Sequence, residues 1–375
     1  MILLALAASW ISPASGQPAP SPDWPPIPYR RDSPGRPRTL AGPNLQAGAV
    51  AFSPDASTLF IGYEDGSIRR HDTKTGRQLG PTIQCGSASI HAIAVSPDGQ
   101  MLAVAVPALN FFPPCDLITL RRPDGSEISE FSRTPGRVIA LAYASDGKTI
   151  GAIDLFINVR VWRVENRSEV LISEIHRSNG RRPDVAETRA NFSADLKRDV
   201  IVNDDDDVTF NDAPWNHLIW LWEAGRKEPR LFGGRVGSGI CSATLSPDGS
   251  QIAIAQELHH VFYHDFDSGR FLRQHYPASV KRGEELSFLM RSPDNRRLIS
   301  ATKRGYVVVN DLDDKLNGRH GFPGPYGHIR AAAFVPGGVR FASGGWDPLG
   351  ADKIPGTDWP KYEPVLLWEV KVEGM

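Results

Sequence analysis

Short apolar runs, each closed by a tight polar turn, recur along residues 38–371. The clearest turns are Ser53-Pro54-Asp55, Ser96-Pro97-Asp98-Gly99, Ser246-Pro247-Asp248-Gly249 and Ser292-Pro293-Asp294-Asn295. Weaker copies are Ala144-Ser145-Asp146-Gly147, Ser193-Ala194-Asp195 and Val335-Pro336-Gly337-Gly338. The second positions of these seven turns are spaced 43, 48, 49, 53, 46 and 43 residues apart. Near-constant spacing of this kind marks an internal repeat. Proline presets the turn, and Asp or Gly supplies the bend that follows. The strands before the turns read AGAVAF, HAIAV, VIALAY, TRANF, CSATL, SFLM and IRAAAF. A strand with one solvated face would alternate polar and apolar. These strands are apolar or small on both faces, so cover on both sides is predicted. A second strand follows each turn. A third has an aromatic or acidic ending, as in Val159-Arg160-Val161-Trp162 and Val307-Val308-Val309-Asn310-Asp311. A turn such as Asp72-Thr73-Lys74-Thr75-Gly76 then leads to a fourth strand.

The last unit carries the fullest motif set: Gly327-His328, Ala331-Ala332-Ala333-Phe334, Phe341-Ala342-Ser343-Gly344-Gly345-Trp346-Asp347 and Leu366-Leu367-Trp368-Glu369. With these motifs the sequence resembles the WD-repeat β-propeller family over roughly residues 38–371. The resemblance implies an all-β fold, a seven-bladed propeller of four-stranded antiparallel blades. It also implies that His328, Ser343, Asp347 and Trp368 form a buried hydrogen-bonded set. That set stiffens a blade and is structural, not catalytic. Most units lack the Gly-His pair and several lack Trp-Asp, so most blades do without it. The mean period, about 47 residues, also exceeds the usual 40–45. The last unit ends at about Val370, after its third strand. Residues 38–42 read as an orphan fourth strand, which the resemblance implies completes the seventh blade. A closed ring removes exposed sheet edges within the circle.

Upstream of the repeats, residues 2–11 are almost wholly apolar, and Ala14 and Gly16 sit at −3 and −1 of a cut before Gln17. Residues 1–16 therefore read as a signal peptide, and the protein as exported, periplasmic or extracellular. Residues 17–37 hold eight prolines and read as a stiff spacer. The propeller is assigned to residues 38–375. Arginine outnumbers lysine 32 to 10, a bias common in high-GC bacteria. The 35 glycines and 31 prolines fit a turn-rich β protein. With 42 basic and 43 acidic residues, net −1, nothing suggests a nucleic-acid binder. No apolar stretch of the mature chain is long enough for a transmembrane helix.

The repeat places the long insertions on one face of the disc: Pro107–Cys115, His176–Glu187, Asp204–Asn216 and Trp346–Pro364. Insertions that collect on one face often mark a binding surface. Six large aromatics lie in these segments: Phe111, Phe112, Trp215, Trp346, Trp359 and Tyr362. Aromatics anchor interaction hot spots, so these are the candidate partner-binding residues. The alternative is that they pack the loops onto the disc. The run Asp204–Asp207 lacks the glycine that shapes an EF-type calcium loop and reads as a solvated acidic patch. His260 and His264 share a strand face but stand ~13 Å apart, too far for one metal. No metal or cofactor is therefore assigned. Cys85 and Cys115 map to one face and are expected to form a disulfide in an exported protein, while Cys241 lies within an inner strand.

Three functional readings follow. The first is a monomeric, non-catalytic scaffold or recognition module that binds a protein or peptide on the loop-rich face. The second is a propeller enzyme, lactonase-like or another hydrolase, with its site at the channel mouth. The third is a purely structural domain of a cell-envelope assembly. No catalytic residue is assigned, because no nucleophile motif or phosphate-cradling loop is present.

Overall fold

The computed structural model describes residues 38–40, 45–108, 115–173, 189–204, 217–226, 229–232, 240–256, 260–275, 286–302, 306–312, 319–323, 328–335, 338, 340–346 and 365–369. Among these the protein is all-β, with seven four-stranded antiparallel sheets and no helix. Each sheet is one blade, and strand order follows chain order from the inner to the outer edge. The inner strands are Ala47–Phe52, Ala92–Val95, Val138–Tyr143, Arg189–Phe192, Ile240–Leu245, Leu286–Arg291 and His328–Phe334. Each inner strand touches those of both neighbouring blades, and the first touches the last. The blades thus form a seven-bladed propeller.

The last blade departs from chain order. Its inner three strands are His328–Phe334, Arg340–Trp346 and Val365–Glu369, and its outer strand is Arg38–Thr39. Arg38 pairs with Leu367 and Thr39 with Leu366.

The doubly apolar inner strands are explained by where the core sits. There is no single core. Seven apolar clusters each fill one interface between adjacent blades. The cluster between blades 1 and 2 joins Phe60 and Ile68 to Ile93, Leu102 and Val104. The cluster between blades 7 and 1 joins Ala342, Val365 and Leu367 to Val50, Leu59 and Ile61. Each fully buried Leu, Ile or Val is worth about 1.5–3 kcal/mol of transfer from water. Because both faces of a strand meet a neighbour, alternation disappears from the sequence.

Candidate functional site

The two faces of the disc are built differently. One is closed by the repeated turns between first and second strands. In five of the seven a Ser side chain bridges the turn, while blades 3 and 7 have Ala144 and Val335 at that position. Ser246 Oγ donates to Asp248 Oδ1 at 2.5 Å and accepts the Gln251 amide at 2.9 Å. The same pair of bonds occurs at Ser53, Ser96, Ser193 and Ser292. The Asp side chain then accepts the amide two residues on, as Asp98 does from Gln100 at 3.0 Å. These bonds hold the carboxyls of Asp55, Asp98, Asp195 and Asp248 below their ordinary range, Asp55 at about 2. The position after Asp lies in the left-handed region: Gly99 has φ +72° and Gly249 φ +71°, while blade 1 places Ala56 there at φ 59°.

Arginines at the start of second strands tie this face across blades. Arg198 donates to the Gly249 carbonyl at 3.1 Å, to Glu223 at 3.0 Å and to Asp267 at 2.8 Å. Arg297 donates to the Gly338 carbonyl at 2.9 Å, and Arg340 to Thr73 Oγ1 at 3.3 Å. The last of these joins blade 7 to blade 1.

The opposite face is the candidate binding face. Second strands end there and third strands begin. Five inner strands carry a one-residue bulge at this end, centred on Gly48, Ile139, Cys241, Ser287 and Arg330. Such bulges re-aim side chains at the rims of sheets. His91 Nδ1 lies 2.6 Å from Asp116 Oδ2, with both side chains nearly buried. The same carboxylate oxygen accepts the Val138 amide of blade 3 at 2.8 Å. His91–Asp116 is thus a clasp between blades 2 and 3 on this face. In blade 3, Asp154 closes the corresponding turn. It accepts from the amides of Phe156 and Asn158 and from Asn158 Nδ2 at 2.9–3.0 Å. Burial pushes its carboxyl up despite these bonds. No group of three His, Cys, Asp or Glu able to hold a metal gathers among the described residues.

Of the candidate anchors, Phe111, Phe112, Trp215, Trp359 and Tyr362 lie outside the described residues. Trp346 ends the second strand of blade 7, opposite His328 across the sheet. The attachment points of all four insertions are described. Those of blades 2, 4 and 7 leave second strands at Pro107, Asp204 and Trp346, and the other leaves an outer strand at Ser173. All four open on the same face. Of the stiffening set, Trp368 Nε1 donates to Ser343 Oγ at 2.8 Å, and both residues are buried. Trp368 also stacks on Phe341, centroids 5.4 Å apart. Asp347 lies outside the described residues.

Cys85 and Cys115, the pair expected to form a disulfide, are both half-buried. Cys85 follows the outer strand of blade 1 and leans into the apolar cluster between blades 1 and 2.

Sequence reasoning missed a slot that the sheet register makes plain. One position of each third strand faces the second strand at an equivalent point. The occupants are His71, Arg121, Trp162, Trp222, His264, Asn310 and Trp368. Their second-strand partners are Leu59, Leu102, Ile150, Asp199, Ile252, Leu298 and Phe341. His71 and His264 each bond through Nδ1 to a carbonyl five residues on, Gly76 at 3.2 Å and Gly269 at 3.0 Å. Asp199 is the one acid among six apolar partners. It is fully buried, and neither carboxyl oxygen has a hydrogen-bond partner among the described residues. Burial raises its pKa well above the ordinary carboxylate range. The signal was present as the one polar residue in the apolar run Asp199-Val200-Ile201-Val202.

The fold is similar to that of solved structures at low sequence identity. The structure of U3-55K matches with a TM-score of 0.65 and 17% identity, covering 89% of this chain and 98% of that one. The crystal structure of the RRP9 WD40 repeats matches with a TM-score of 0.65 and 17% identity, covering 89% and 97%. No family model and no curated protein matches the sequence. The chain is a seven-bladed propeller whose structural neighbours are WD40 repeat proteins.

Proposed function

We propose that this chain is an exported, monomeric scaffold of the WD-repeat kind that binds a protein or peptide on its loop-rich face and performs no chemistry there. Export rests on residues 1–16 as a signal peptide, with residues 17–37 as a stiff proline-rich spacer ahead of the ring. The observation that carries the reading is the asymmetry of the disc. One face is sealed by near-identical Ser–Asp turns and arginine ties. The other gathers the attachment points of every long insertion, and those insertions contain Phe111, Phe112, Trp215, Trp359 and Tyr362. A rigid ring lowers the ordering cost of presenting such loops, and aromatic anchors supply affinity. The WD40 likeness supports this direction, because the fold is shared.

The test is quantitative capture from a native extract by immobilised protein. The wild type is compared with a variant in which a short Gly-Ser linker replaces residues 347–363. Loss of capture with an unchanged unfolding transition supports the reading. Undiminished capture would sink the claim for that loop.

A further inference from the structure

The seven seams between blades are not equal. Among the described residues, the apolar cluster between blades 3 and 4 holds five buried side chains, Ile153, Ile157, Val159, Ile201 and Trp222, against seven to eleven in each other cluster. The inner strand on its blade 3 side, Val138–Tyr143, is buried only at Val138, whereas the inner strand of blade 1 is buried at five of its six positions. Polar groups sit unpartnered in the same seam. Both carboxyl oxygens of Asp199 and the indole N–H groups of Trp220 and Trp222 are buried with no hydrogen-bond partner among the described residues. In blade 7 the equivalent indole, that of Trp368, donates to Ser343; blade 4 has Ile201 at the Ser343 position. Ile157 has φ +66°, a left-handed conformation that a β-branched side chain resists. The arginine tie is missing too. The position of Arg198, Arg297 and Arg340 in blades 4, 6 and 7 is Thr149 in blade 3.

Proteins open locally in cooperative units, first where few apolar groups are buried. We propose that the ring opens at this seam, and that Asp199 makes the opening pH-dependent, closed in acid and looser as pH rises. The closed seam sets the carboxyl between its cross-strand neighbours Phe192 and Trp222, on the face packed against blade 3. Arg198, next in the chain, is held by Glu223 and by Asp267 of blade 5. The charged groups that flank the seam, Asp146, Lys148 and Arg163 of blade 3 and Asp195 and Lys197 of blade 4, are all exposed. Burial keeps the carboxyl well above its ordinary range while the seam is closed. Water restores that range once it opens. The open form releases a proton that the closed form keeps, so rising pH favours opening. Two insertions of the loop-rich face are rooted here, one at Ser173 and Arg189, the other at Asp204 and His217. On the function proposed above, opening displaces those roots and makes docking respond to pH. That consequence rests on the docking reading; the opening itself does not.

The experiment is native-state amide exchange of the full chain from pH 5 to 8, corrected for intrinsic exchange rates. Amides of Thr149–Asp154, Val159–Arg163, Arg198–Asp204 and His217–Glu223 are expected to exchange about tenfold faster than those of the second and third strands of the other five blades. The excess should grow with pH, by up to about tenfold per unit. Asp199→Asn should remove this pH dependence. Asp199→Leu, the residue that blades 1, 2 and 6 place there, should remove it and also slow the opening. Replacement of residues 347–363 should leave the exchange pattern unchanged, so a failure of the loop-face reading and a failure of this one are told apart. The wild-type series alone overturns the proposal if all blades exchange alike, if another seam opens first or if the opening ignores pH. A pH dependence that survives in Asp199→Asn would overturn the role of Asp199.

Discussion

Asp199→Asn is expected to stabilise the protein, by an amount that depends on pH. The carboxyl is fully buried opposite Trp222, where five other blades place Leu or Ile and one places Phe341. Its folded pKa is raised by desolvation, so the folded chain keeps the proton that the unfolded chain releases. An unfolded aspartate titrates near 3.9, and each unit above that costs about 1.4 kcal/mol while the folded group stays neutral. The sign follows. This term is absent below about pH 4, and it destabilises the wild type progressively as pH rises. At pH 7 the limit is about 4 kcal/mol. Asparagine has nearly the same shape and is neutral throughout, so it removes the proton term without emptying the site. Urea unfolding of both proteins from pH 4 to 7 should give similar stabilities at pH 4 and a gap that widens upward. A gap independent of pH, or a variant less stable at every pH, would refute the reasoning.

Other expectations are more local. Ala56→Gly should raise stability by about 1 kcal/mol, because a left-handed alanine is replaced by the residue that other blades use; the urea midpoint reads this. Ser343→Ala should cost about 1–3 kcal/mol by removing the hydroxyl that accepts the buried Trp368 Nε1–H, with a matching change in tryptophan emission. Thiol titration of the protein denatured without reductant should count one thiol, Cys241, because Cys85 and Cys115 are expected to pair in an exported protein; a count of three would refute the pairing.

The repeat was legible because its determinants are local. A Ser, an Asp two positions on and a left-handed residue after it lie within one turn, and the hydrogen bonds of Ser246, Asp248 and Gln251 show why those residues recur. The doubly apolar inner strands were legible for the same reason: both neighbours of such a strand are blades. The His91–Asp116 clasp was not legible. His91 and Asp116 are 25 residues apart, and the Val138 amide that shares the carboxylate belongs to the next blade. Nor was the Asp199 slot, which emerges only when seven sheet registers are laid side by side.

The central claim is that partners dock on the face where the insertions gather. Amide hydrogen exchange of the protein, alone and with a captured partner, tests this most directly. Protection is expected at the loop-rich ends of the strands, around His91, Asp116, Val138 and Trp346, and within residues 347–364. Protection confined to the Ser–Asp turns at Ser53, Ser96, Ser246 and Ser292, with the loop-rich ends unchanged, would contradict it.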